Sequence, residues 1–134
     1  MGKPYHYNTF YRMLFVFRNT FWLTYRRGIK NIESDNGWGC MIRTVQMVLA
    51  ETLKRNLCLK GNSESEQHEV IRHFSEHSDG VLSLSAVCRE GNIDKRWTSS
   101  IEVLSTFQKI IKKHPKHFTF NIEIISSGIV YDTV

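Results

Sequence analysis

At 134 residues and 15.7 kDa, with 41% hydrophobic and 23% charged residues, the chain has the size and composition of one soluble globular domain, with no room for a second. Its net charge of +5 would suit nucleic acid, but the basic residues fall in scattered pairs such as Arg26-Arg27, Lys54-Arg55 and Lys112-Lys113, so nucleic-acid binding is not expected. No window approaches the roughly 18 apolar residues of a membrane span, and the run from Met13 to Phe17 is too short for a signal peptide, which makes the cytoplasm the expected location and excludes stable membrane insertion.

Residues 7–25 are rich in aromatics. Phe10, Leu14, Phe17 and Phe21 recur at three- or four-residue steps, which predicts an amphipathic helix with these side chains in the core. Tyr25, at the end of the run, reads by position as a core tyrosine. Residues 28–33 form a short connection to the polar turn formers Ser34, Asp35 and Asn36 and then to Gly37-Trp38-Gly39. From Cys40 onward apolar residues recur at Met41, Val45, Val48, Leu49 and Leu53, a helical spacing that predicts a helix from Cys40 to Asn56 or Leu57. Cys40 therefore starts a helix, where unpaired N–H groups and the positive dipole end favour a thiolate. A free thiol of pKa about 8.5 is only a few per cent ionised near neutral pH, and a lowering of about two units makes it mostly thiolate. The glycines flanking Trp38 allow a sharp turn and the close approach of a substrate backbone to the sulfur. Spacing alone leaves a second reading open, in which Cys40 is a small apolar residue packed at a helix start.

Ser34 to Gln46 reads Ser-Asp-Asn-Gly-Trp-Gly-Cys-Met-Ile-Arg-Thr-Val-Gln, and Trp22, Thr24, Tyr25, Arg26 and Arg27 precede it. The longer string resembles the signature of the autophagin family, papain-like cysteine peptidases that process the ubiquitin-like modifier of autophagy. All fixed positions of that signature, Ser-Asp-x-Gly-Trp-Gly-Cys-Met-x-Arg-x-x-Gln, are filled, and the shorter segment is similar to the family's Trp-x-Thr-Tyr-Arg. The likeness continues more thinly through Ser83 to Val87, through Trp97 and its following helix, and into the last strand. It implies an α+β fold of papain-like kind, incomplete here, in a single domain over residues 1–134. It further implies that Cys40 is the nucleophile, cutting after the C-terminal glycine of the modifier and freeing it from its lipid amide. The implied partners are the modifier and its lipidated form, and no cofactor is called for. By the same resemblance the Tyr25 hydroxyl faces the reaction centre and helps hold the oxyanion beside the N–H of Cys40.

Past Cys40 the chain continues as a largely helical pattern. Lys60-Gly61-Asn62-Ser63 reads as a turn, and Ser63 with Glu66 makes a capping-box pattern for a helix through about His77, burying Val70, Ile71 and Phe74, with Asp79-Gly80 ending it. His68, His73 and His77 lack a third ligand at matching spacing and read as solvated, so no metal is expected. Residues 82–87 form a short helix or turn. Trp97, at the end of the polar loop 89–96, is either a core anchor or an exposed recognition residue; the resemblance favours the second, bracing the small residues around the scissile bond. Ser99 and Glu102 make another capping box for a helix through Lys113 that would bury Ile101, Leu104 and Ile111, stopped by His114-Pro115. Phe118, Phe120, Ile122 and Ile124 then alternate with polar residues as in a half-buried strand, and residues 129–134 read as its antiparallel partner.

Cys40, Cys58 and Cys88 match neither a zinc ribbon nor a Cys-x-x-Cys redox pair, and reduced thiols are expected. A thiol peptidase also needs a histidine to hold the thiolate and protonate the leaving amine, and an Asp or Asn to orient it. The autophagin family takes both from an Asp-Pro-His segment beyond the strand pair. The only prolines here are Pro4 and Pro115, and His114 and His117 flank a helix end. The favoured expectation is the N-terminal part of a longer enzyme, because residues 131–134 stop in what reads as mid-strand. The alternative is a module that binds the modifier without cleaving it.

Overall fold

The computed structural model describes residues 10–29, 31–57, 64–77 and 80–125. Helix α1 (Phe10–Arg18) precedes a small antiparallel pair, β1 (Arg27–Ile29) and β2 (Glu33–Ser34), followed by helices α2 (Cys40–Leu57), α3 (Glu64–Arg72), α4 (Leu84–Gly91) and α5 (Ser100–Lys113). The class is α+β. Helix α2 packs on α3, α4 and α5, and α4 packs on α5, so the helix that begins at Cys40 is the centre of the molecule.

The apolar spacing explains that position. Ile42, Val45, Leu49, Ala50 and Leu53 form the buried face of α2, meeting Val103, Phe107, Ile110 and Ile111 of α5 and Leu84 and Val87 of α4 in one core. Val48, counted by spacing as part of the inner face of α2, is 59% exposed. Helices α4 and α5 carry explicit end chemistry. Ser83 caps α4 by accepting from the Ala86 N–H, and Glu76, arriving from the turn after α3, accepts from the Leu84 N–H at 2.7 Å. Asn92 closes α4 in the left-handed conformation, at φ 49°. Ser99 caps α5 as expected, accepting from the Glu102 N–H, but the Glu102 carboxylate pairs with Arg96 instead of reaching back to the cap.

Several expectations are corrected. Helix α1 is shorter than residues 7–25 and buries none of its side chains, with Phe10 and Phe17 both exposed. Its aromatics find local partners, Phe17 against Trp22 at 4.6 Å, because a periodic stripe fixes a face and cannot supply the element that covers it. The segment after α1 is anchored to α2 through Lys54, which donates to the Asn19 carbonyl and lies 5.7 Å over the Phe21 ring.

Residues 28–33, expected as a plain connection, carry the only strand pair among the described residues. Arg27 faces Ser34 and Ile29 faces Glu33, with an irregularity between them that accompanies positive φ at Gly28, Asn31 and Glu33. Helix α3 ends at Arg72, short of His77. Phe74 in the following turn still reaches the core, and Ile71 faces outward. On α5 the buried face is Val103, Thr106, Phe107, Ile110 and Ile111, whereas Ile101 is exposed.

The expected strand at 118–124 has no ladder partner among the described residues and is not a strand. Its two-residue period survives nonetheless, with Phe118 buried, Phe120 and Ile122 half-buried against the core, Ile124 half-buried, and the residues between them exposed. Gln108 of α5 holds this run by donating to the Ile122 carbonyl at 2.5 Å. The expected partner at 129–134, the turn at 60–63 and Asp79 lie outside the described residues.

Candidate active site

The turn that delivers Cys40 is built around a buried carboxylate. Asp35 is fully buried; its carbonyl accepts from the Gly39 N–H at 2.9 Å, and Trp38, also buried, donates its indole N–H to the Ser34 carbonyl at 3.0 Å. The two glycines have different causes. Gly37 sits at φ 86°, the left-handed geometry that tightens the turn. Gly39 is fixed by Asp35, because a Cβ there would lie 2.8 Å from the Asp35 Cβ and 3.0 Å from its carbonyl oxygen.

Cys40 is the first residue of α2, half-buried, with a free thiol. Among the described residues the N–H groups of Cys40, Met41 and Ile42 meet no acceptor, and the first bond into the helix is Arg43 N–H to the Gly39 carbonyl at 3.0 Å. Unpaired donors at a helix start are suited to negative charge beside the sulfur.

Tyr25 stands beside this turn by way of its neighbour. Arg26 N–H donates to Asp35 Oδ1 at 2.7 Å, and Asp35 N–H returns a bond to the Arg26 carbonyl at 3.4 Å. Tyr25 is 46% exposed, which corrects its reading as a core tyrosine. Trp97 is 71% exposed in the loop between α4 and α5, which excludes the core-anchor reading. Among the described residues no hydrogen bond or ring contact joins it to Cys40 or Tyr25.

Asp35, Arg43 and Gln46, fixed positions of the signature to which the sequence assigns nothing beyond a turn at Asp35, form one buried set. Arg43 Nε pairs with Asp35 Oδ2 at 2.6 Å, both side chains being almost wholly buried. Arg43 Nη1 donates to Gln46 Oε1 at 3.1 Å, and Gln46 Nε2 donates to the Leu82 carbonyl at 2.7 Å. A signal was available, since Arg43 and Gln46 sit on the helix face occupied by Ile42, Val45 and Leu49, where charged and amide groups require buried partners.

Cys88 is set apart from Cys40, and Cys58 lies outside the described residues. Cys88 lines a cavity of about 660 Å³ together with Trp38, Ser83, Ile93, Ile110 and His114, a cavity that includes none of Cys40, Tyr25 and Trp97. Burial, reinforced by the Glu76 carboxylate, pushes the Cys88 thiol up to about 11, so it stays protonated and unreactive at neutral pH. His73 lies 5.8 Å ring to ring from His117, and burial lowers its pKa. Among the described residues no group of three or more His, Cys, Asp or Glu side chains could hold a metal ion.

The profile of the peptidase C54 catalytic domain matches residues 11–134. The chain belongs to the peptidase C54 family, the autophagins. The cysteine protease atg4da of Danio rerio is 31% identical over 114 residues, covering 73% of this chain and 22% of that protein. The cysteine protease ATG4D of Xenopus laevis is 45% identical over 60 residues, 41% of this chain and 12% of that protein. The probable cysteine protease atg4 of Schizosaccharomyces pombe is 37% identical over 65 residues, 46% of this chain and 19% of that protein. This C54 chain thus spans a quarter or less of the length of these relatives. Among its described residues no helix is long and apolar enough to cross a membrane.

Proposed function

We propose that this chain is the nucleophile-bearing part of an autophagy cysteine peptidase that cleaves after the C-terminal glycine of a ubiquitin-like modifier. The observation that carries the reading is the start of α2, where a free thiol stands on a helix end whose first N–H groups have no acceptor among the described residues. In this mechanism Cys40 Sγ attacks the glycine carbonyl carbon, and the negative charge passes to the carbonyl oxygen. The Cys40 N–H and the Tyr25 hydroxyl stabilise that oxygen. The C–N bond then breaks, the leaving amine takes a proton from a histidine, and water hydrolyses the thioester to the modifier carboxylate and the thiol. The same steps at an amide to a lipid headgroup free the modifier from its lipid, the headgroup amine leaving with the proton. Trp97, standing clear of the core, braces the small residues beside the scissile bond.

In this reading the described helices form the Cys half of a papain-like fold acting in the cytoplasm, and the base and its orienting carboxylate come from an Asp-Pro-His segment outside these 134 residues. In the full-length gene product Cys40→Ala is expected to abolish cleavage of a modifier precursor while binding persists. Cleavage retained by that variant would contradict the proposal.

A further inference from the structure

We infer that Asp35, Arg43 and Gln46 are positioning residues that set Tyr25 against Cys40. The inference rests on the reading of Cys40 as the nucleophile. A single carboxylate ties together both sides of the site: Oδ1 holds the backbone N–H next to Tyr25, and Oδ2 holds the second turn of the helix that Cys40 begins. The same residue's carbonyl fixes Gly39, the residue before Cys40, and its side chain leaves no space there for a Cβ. Arg43 passes the restraint to Gln46, and Gln46 to the Leu82 carbonyl, at the entrance to α4. The relative placement of hydroxyl and sulfur therefore runs through one buried hydrogen-bonded chain.

Stability alone is a poor reason for this arrangement. Arg43 Nη2 is buried with no partner among the described residues, so the fork is incompletely satisfied. Apolar side chains of similar volume often replace buried ion pairs without loss of stability. What they cannot reproduce is directional bonding between two segments, and a misplacement of about 1 Å at a reacting centre costs up to about 10²-fold in rate.

The test uses the full-length protein with three probes: a modifier precursor, a modifier ending in a glycine aldehyde, and iodoacetamide. The aldehyde forms a tetrahedral adduct whose oxygen needs the Tyr25 side of the site, whereas iodoacetamide needs only the sulfur. Arg43→Lys keeps the charge but cannot serve Asp35 and Gln46 together. It is expected to lower kcat and aldehyde affinity about 10- to 100-fold while KM and iodoacetamide labelling of Cys40 stay within about twofold of wild type. The double variant Asp35→Asn, Arg43→Gln rebuilds the chain of hydrogen bonds without charge and is expected to recover most of the loss relative to either single change. Folded Arg43→Lys protein with wild-type kcat and aldehyde affinity would overturn the inference. So would losses that follow the thermal midpoint and fall equally on all three probes. A wild-type protein that fails to cut the precursor, or a Cys40→Ala variant that still cuts it, overturns the underlying reading instead, and is recognised without any change at Asp35, Arg43 or Gln46.

Discussion

Residues 1–134, purified alone, are expected to cut a modifier precursor about 10² to 10⁴ times more slowly than a protein carrying the family's Asp-Pro-His segment, while Cys40 still reacts with iodoacetamide. Alkylation asks only for an accessible sulfur at a helix start. Turnover asks for a proton on the departing amine, and loss of one member of a nucleophile–base unit removes most of its catalytic gain. The histidines nearest the end of α5 are already engaged elsewhere: His117 packs against His73 and Phe118, and His114 lies 6.0 Å from His117. Cleavage by the short chain at the rate of the extended protein, lost on His114→Ala or His117→Ala, would show that one of these two is the base.

Phe107→Ala is expected to destabilise the chain by about 3–5 kcal/mol, read as a shift in the urea midpoint at constant slope. Its side chain is wholly buried in the core that α5 shares with α2 and α4, so truncation removes its packing and leaves a cavity there. With a total stability for a domain of about 5–15 kcal/mol, a loss of that size leaves a substantial unfolded fraction. Ile101→Ala, six residues earlier on the same helix and 61% exposed, is expected to change stability by less than about 0.5 kcal/mol. Equal effects at the two positions would mean that the buried face of α5 is assigned wrongly.

That contrast marks where sequence reading succeeds and where it stops. The bounds of α5 were legible because a capping serine, apolar spacing and a stopping proline agree along one stretch of chain, and those of α2 because the Gly37-Trp38-Gly39 turn leads straight into a helical apolar spacing. Which side of α5 faces inward was legible only in part. Ile111 is buried and Leu104 packs against the core as the spacing implies, but Ile101 is exposed, because partners on α2 and α4 that are distant in sequence centre the buried face on Val103, Phe107 and Ile110. The run at 118–125 shows the same division, since its period gives the inward side chains and says nothing of a hydrogen-bonded neighbour. At the site, Cys40 was legible from the turn and helix start, and more firmly from the filled signature. The work of Asp35 was hidden because its bonds span nine residues back to Arg26 and eight forward to Arg43, distances no helical or strand period reports.

The sulfur of Cys40 carries the proposed chemistry, and the most direct measurement is labelling of the full-length protein by a modifier whose C-terminal glycine carries a thiol-directed electrophile. Peptide mapping is expected to find the adduct on Cys40, with none on Cys88, whose thiol is held protonated, and none anywhere in Cys40→Ala. No adduct on the wild-type protein, or an adduct that persists in Cys40→Ala, would contradict the account.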